Sequence, residues 1–218
     1  MTTQEKNGIT EGVIWKQLLI FFFPILVGSF FQQLYNTVDS VIVGQFVGKE
    51  ALSSVGGSAG QIISLVVGFF TGVSTGATVI ISQYFGAGKK EEIEESLHTA
   101  YAFALVGGLV LGIAGIVFAP QMLRWMNTPE ELIAESVLYV RVYFSGLIFI
   151  FIYNMGAAIL RAVGDSKRPL YYLIVCSVVN IILDLLLILV IPLGVLGAAI
   201  ATLLARVSEF AICVVCAV

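Results

Sequence analysis

The chain has 218 residues, 59% hydrophobic and only 11% charged, with a mean hydropathy of +1.01. A soluble domain carries about a quarter charged residues and roughly half apolar ones, so an ordinary soluble enzyme and a disordered tail are excluded. The formal charge of 11 − 14 = −3 argues against a nucleic-acid partner. Three cysteines and one histidine supply neither a disulfide framework nor a zinc site, and no cofactor is expected. The class this leaves is an integral membrane protein whose first partner is the lipid bilayer.

A helix needs about 20 mainly apolar residues to cross roughly 30 Å of hydrocarbon. Six such runs follow one another, at residues 15–43, 62–85, 96–119, 136–160, 170–191 and 195–218. Lipid offers no partner to unpaired backbone groups and no alternating strand pattern is present, so the expected fold is all-α, a single six-helix transmembrane bundle over 1–218. The connectors are short and hold nearly all the charges, as in Gly86-Ala87-Gly88-Lys89-Lys90-Glu91-Glu92 and Gly164-Asp165-Ser166-Lys167-Arg168-Pro169. Thr128-Pro129-Glu130-Glu131 reads as a helix start, with Thr128 as N-cap, Pro129 at the first helical position and Glu131 closing a capping box.

The first span is too long for a cleaved signal peptide, and its second half carries Gln32, Gln33, Asn36 and Asp39. With a cytoplasmic N-terminus, Lys6, Lys16, Lys89, Lys90, Arg161, Lys167 and Arg168 fall inside, and Lys49, Arg124 and Arg141 outside. Seven against three predicts that the N-terminus and, after six spans, the C-terminus face the cytoplasm of a plasma (inner) membrane.

An ionisable group at the centre of a membrane helix costs at least about 2.5 kcal/mol. Four lie well inside the spans: Asp39, Asp184, Arg206 and Glu209. Span one travels outward and ends near Val43, which puts Asp39 in the outer leaflet. Span five also travels outward, and at 1.5 Å per residue Asp184 lies about 10 Å below that surface. Asn180 is one turn deeper on the same face, and Thr202 on the returning span six reaches a similar depth. If these faces converge, two carboxylates in low dielectric cannot both stay ionised. One then carries a proton, or a small hard cation such as Na+ supplies the missing charge through Asp39, Asn180, Asp184 and Thr202. The plainer reading of Asp39 is a cap for span one in the headgroup region.

Arg206 and Glu209, three residues apart, read as a self-neutralising pair facing the bundle interior. Gly68, Gly72 and Gly76 on span two, and Gly108 and Gly112 on span three, form small-xxx-small steps that predict close helix packing. Pro24 removes a backbone hydrogen bond inside span one, which predicts a kink or hinge. Gln32, Gln33, Tyr35, Asn36, Tyr139 and Asn154 are candidates for lining a cavity. Cys213 and Cys216 sit in the last apolar span with no soluble redox fold around them, and His98 stands alone at a helix end.

Pro24 followed by Gln32-Gln33-Leu34-Tyr35-Asn36-Thr37-Val38-Asp39 and Gly44-Gln45-Phe46-Val47-Gly48 resembles the first helix of the multidrug and toxic compound extrusion (MATE) family. Gly72-Val73-Ser74-Thr75-Gly76 with Ser82-Gln83-Tyr84-Phe85-Gly86-Ala87-Gly88 is similar to its second helix and following loop. Leu160-Arg161-Ala162-Val163-Gly164-Asp165 with Pro169, then Asn180-Ile181-Ile182-Leu183-Asp184 and Gly197-Ala198-Ala199-Ile200-Ala201-Thr202, resemble later segments of the same family. The resemblance implies cation (H+ or Na+)-coupled antiport that expels cationic or amphipathic organic compounds. It also implies that Asp39, Asn180, Asp184 and Thr202 form the cation-coupling cluster and that Pro24 is the bend in the first helix. Cation binding would then change helix one and lower affinity for the bound drug.

Members of that family have twelve helices in two six-helix lobes, and this chain supplies one, the N-terminal lobe. A second lobe is therefore an expected partner, whether from a missing C-terminal half or another copy. A lipid-linked precursor flippase of the same superfamily would call for a more cationic cavity than one deep arginine beside an acid. A half-length membrane protein that transports nothing is the other alternative. An intramembrane aspartyl protease needs Tyr-Asp and Gly-x-Gly-Asp motifs, and Val38-Asp39 and Ile182-Leu183-Asp184 match neither. The chain is not expected to be an enzyme.

Overall fold

The computed structural model describes residues 13–217, without the side chains of Ile14 and of residues 215–217. Lys6 and the Cys216 side chain lie outside the described set. The elements in chain order are α1 (Ile14–Ile42), a π-helical segment π1 (Val43–Val47), α2 (Lys49–Gly56), α3 (Ser58–Gly86), α4 (Lys90–Trp125), α5 (Glu130–Ser145), α6 (Leu147–Ala162), α7 (Lys167–Asp184), a second π-helical segment π2 (Leu185–Val190) and α8 (Gly194–Ala217). Five helical stretches are long and apolar enough to cross a membrane, and the bent pair α5–α6 makes a sixth. These stretches overlap the six apolar runs of the sequence.

Two expectations about individual elements change. The run 136–160 is not one straight rod but two helices meeting at 50° around Gly146. A Cβ at Gly146 would collide with the Leu203 side chain of α8, so the missing side chain admits Leu203 where the rod breaks. The capping box at Thr128 does not form. The helix begins at Glu130 without a side-chain cap, and the buried Thr128 hydroxyl has no partner among the described residues. The connector at Gly164, by contrast, behaves as its composition suggests. Gly164 at φ 91° closes α6, with the Asp165 amide donating back to the Leu160 carbonyl at 2.8 Å. The Asp165 carboxylate then accepts from the Lys167 and Arg168 amides, each at 3.1 Å, at the start of α7.

Small residues decide how the helices approach. Ala100, Ala104, Gly108, Gly112, Gly115 and Ala119 form one buried stripe on α4, against α5 and α6. A Cβ at Gly108 would stand 2.7 Å from the Ile148 Cα, and one at Gly112 would stand 3.0 Å from the Phe144 carbonyl oxygen. Beside this seam Phe70 of α3 stacks on Phe151 of α6, with centroids 3.6 Å apart. The glycine stripe of α3 behaves otherwise. A Cβ added at Gly68, Gly72 or Gly76 would meet nothing within 4 Å, so the expected close packing is absent from this face among the described residues. Large apolar side chains such as Trp15, Phe23 and Phe30 on α1 and Val106, Leu109 and Val110 on α4 point outward. Hydrocarbon, not water, is the solvent that such a surface suits.

Candidate functional site

Two packing facts build the site. First, α1 lies along α7, and α7 lies along α8. Second, π1 continues α1 directly after Ile42 and π2 continues α7 directly after Asp184, and the two π segments pack on each other. A π turn takes extra residues per hydrogen-bonded ring and re-aims the side chains beside it, and such turns gather at functional sites. Here they flank the two acids: the Val43 amide donates to the Asp39 carbonyl at the α1–π1 junction, and Asp184 is itself the last α-helical residue before π2. Nothing in the apolar runs Val43–Val47 and Leu185–Val190 signals a π turn, so sequence reading passes over them.

The carboxyl groups of Asp39 and Asp184 face each other. Asp184 is 0% exposed and Asn180, one turn away on the same helix face, is 2% exposed. The Tyr139 hydroxyl faces Thr202 and stands beside Asp39, which brings the fourth expected member to the cluster. Four buried oxygens here, Asp39 Oδ1, Asp184 Oδ1 and Oδ2, and Asn180 Oδ1, find no hydrogen-bond donor among the described residues. Buried acceptors are normally satisfied, and an uncompensated carboxylate is costlier still. No Lys, Arg or His forms an ion pair with Asp39 or Asp184 among the described residues. The set is chemically suited to a proton or to a hard cation that takes oxygen ligands. The headgroup-cap reading of Asp39 does not fit a carboxyl turned to Asp184.

One turn before Asp39 on α1, the Tyr35 hydroxyl accepts a hydrogen bond from the Arg206 guanidinium, which also lies over the Tyr35 ring. Arg206 donates to Glu209 Oε2 at 2.8 Å, and Glu209 is 0% exposed. The expected self-neutralising pair is therefore formed. Its tie to Tyr35, 171 residues away in sequence, has no sequence signal.

The remaining candidates separate by helix face. Gln32, Tyr35 and Asp39 lie on one stripe of α1, at steps of three and four residues. Tyr35 is buried, and Gln32 lines a cavity with Pro24 and Asn154. Gln33 and Asn36 sit on the adjoining stripe; like Gln32 they are exposed, but they do not line that cavity. The 3.6-residue turn rotates them away from Tyr35. Helix α1 continues unbroken through Pro24. Cys213 is buried, and His98 lies 3.9 Å from Glu94.

Residues 24–186 match the family model MatE. The chain is 32% identical over 219 residues to the probable multidrug resistance protein YoeA of Bacillus subtilis, covering 99% of this chain and 46% of that protein. A crystal structure of a MATE protein in the bent conformation superposes with a TM-score of 0.89 at 27% identity, over 97% of this chain and 47% of the other. The structure of MATE in the straight conformation gives 0.87 at 28% identity, over 95% and 46%. The chain spans about half the length of the curated relatives it matches. A helical membrane lobe whose sequence and backbone both align with half of these transporters belongs to the MatE family.

Proposed function

We propose that this lobe serves secondary active multidrug efflux, in which an inward H+ or Na+ gradient drives export of cationic or amphipathic organic compounds. The observation that carries this reading is the cluster of four donor-less buried oxygens on Asp39, Asp184 and Asn180. It is an incomplete electrostatic arrangement that a coupling cation would complete. The name of YoeA, a probable multidrug resistance protein, supports the substrate class. The lysine and arginine asymmetry supports placing both termini in the cytoplasm of the plasma membrane and the acid pair toward the outside. A second six-helix lobe would supply the other wall of the drug pathway, since the matched relatives are about twice as long.

In this mechanism the cation enters between α1 and α7 and removes the repulsion between Asp39 and Asp184. Helix α1 then shifts relative to α7, and Pro24, which leaves one backbone carbonyl without its helical donor, is the place where that shift would be absorbed. A MATE protein described in both a bent and a straight conformation supports such a two-state helix. The test is carbodiimide labelling of Asp39 and Asp184 in the purified chain, read by mass spectrometry. Sodium coupling predicts protection by sodium at fixed pH. Proton coupling predicts stronger labelling in acid and no sodium effect. Labelling indifferent to both ions overturns the reading.

A further inference from the structure

At the end of the bundle opposite the acid pair, residues 73–84 of α3 and 92–103 of α4 border an open groove of about 620 Å³. At 1.5 Å per residue it runs about 16 Å along α3. Small residues leave this space. A Cβ at Gly76 would meet nothing within 4 Å, and Ala77 and Ala100 add only a methyl group each. Ile81 and Met155, each 1% exposed, form the floor, and the exposed Ile80 and Phe103 flank it.

The polarity of the groove changes along its length. Away from the connector at residues 87–89 its lining is apolar, whereas Tyr84, Glu92, Glu95, Ser96 and Thr99 reach it nearer that connector. Ser96 donates its hydroxyl proton to the Glu92 carbonyl at 2.7 Å, and Thr99 donates to the Glu95 carbonyl at 2.9 Å. Each of these hydroxyl oxygens is then left only to accept. Glu92 has Lys89 at 3.0 Å, whereas Glu95 forms no ion pair among the described residues. The polar end thus offers acceptors and one carboxylate without a cation.

An occupant that matches this profile has a cationic N–H donor at the connector end and a hydrocarbon chain running into the span. We infer that the groove seats a phosphatidylethanolamine molecule, its ammonium on Glu95 and one acyl chain along Ile80, Ile81, Phe103 and Met155. Charge complementarity selects this lipid among those of a bilayer. A choline headgroup brings a cation without an N–H donor. An anionic glycerol headgroup meets Glu95 as a like charge. The lipid phosphate is served by Lys89, whose ammonium has three donors and gives one to Glu92. This seat is separate from Asp39 and Asp184, and filling it requires neither a coupling ion nor a gradient.

Native mass spectrometry of the detergent-purified chain tests it, with dioleoyl phosphatidylethanolamine, phosphatidylcholine and phosphatidylglycerol added in turn. The ethanolamine lipid is expected to bind roughly fivefold tighter than the other two, the size of one exposed ion pair. Glu95→Gln should bring it down to the choline lipid's level. Glu94→Gln, which removes a carboxylate that lies by His98 and outside the groove lining, should keep the preference. Gly76→Leu fills the groove and should weaken all three lipids. Circular dichroism melting monitors the fold of each variant. Equal binding of the ethanolamine and choline lipids overturns the inference, as does a glycerol lipid that binds as tightly as the ethanolamine lipid. So does a preference that survives Glu95→Gln or is lost equally in Glu94→Gln, unchanged binding in Gly76→Leu, or no binding of any lipid. Carbodiimide labelling indifferent to cations would remove the exporter reading and leave this result standing, and the converse also holds.

Discussion

Two of the lobe's polar clusters, and two of its glycine stripes, form pairs in which one member is completed among the described residues and the other is not. Glu209 has its cation at 2.8 Å in Arg206, whereas Asp39 and Asp184 have no cationic partner among the described residues. Gly108 and Gly112 lie against Ile148 and Phe144, whereas Gly68, Gly72 and Gly76 meet nothing within 4 Å. The lesson is that similar residue patterns do different work according to where their complement comes from. A group completed internally holds the lobe together. A group left incomplete is available to something that arrives, whether an ion or another protein surface.

The largest effect is expected from opening the completed polar pair. Glu209→Ala leaves the buried Arg206 guanidinium without its carboxylate, and breaking such a pair costs about 3–5 kcal/mol. Replacing both, Arg206→Met with Glu209→Leu, should restore most of that loss in denaturant unfolding of the purified chain. If the single variant unfolds like wild type, the pair is not what stabilises this region.

The incomplete polar cluster should respond to ions instead. Either sodium or acid, whichever is the coupling ion, should raise the melting temperature, and a ligand at 100 times its Kd adds about 2.7 kcal/mol. Asp184→Asn should fold normally and lose that response, because the repulsion it relieves has already been removed. A variant that keeps the full response would take Asp184 out of the site.

The glycine stripes should differ in the same sense and by less. Gly108→Leu forces a side chain onto the Ile148 backbone, and overpacking of that kind costs about 1–3 kcal/mol. Gly72→Leu meets open space in this lobe and should change stability by about 0.5 kcal/mol or less. Equal losses in the two variants would show that the α3 stripe has a partner within the chain after all. Loss confined to Gly72→Leu in a preparation that contains a second lobe would identify that face as the contact between lobes.

Much of this arrangement is legible in the residues alone. Counting along the helices gives Asp39 and Asp184 an expected place near one end of the bundle, and Asn180 falls beside Asp184 by the four-residue step. The Arg206–Glu209 pair is readable because its members are three residues apart on one helix. The Tyr35–Arg206 contact is not readable, because it joins α1 to α8 and depends on their relative rotation. The π segments are not readable either, since Val43–Val47 and Leu185–Val190 are ordinary apolar runs. The break at Gly146 is hidden inside a continuous apolar stretch, and only the position of Leu203 accounts for it.

Taken by itself, the amino-acid sequence determines an all-helical bundle with six apolar runs long enough to cross a membrane, and an expected height for each buried charge. Hydrocarbon thickness and the rise per residue are constants, so distance along the membrane normal can be counted. Which side each residue faces is a different kind of quantity. It depends on how α1, α7 and α8 rotate to pack and on the π turns that re-aim their ends. That rotation, decided only by the tertiary structure, brings Asp39 to Asp184, turns Gln33 and Asn36 away, and leaves one glycine stripe bare.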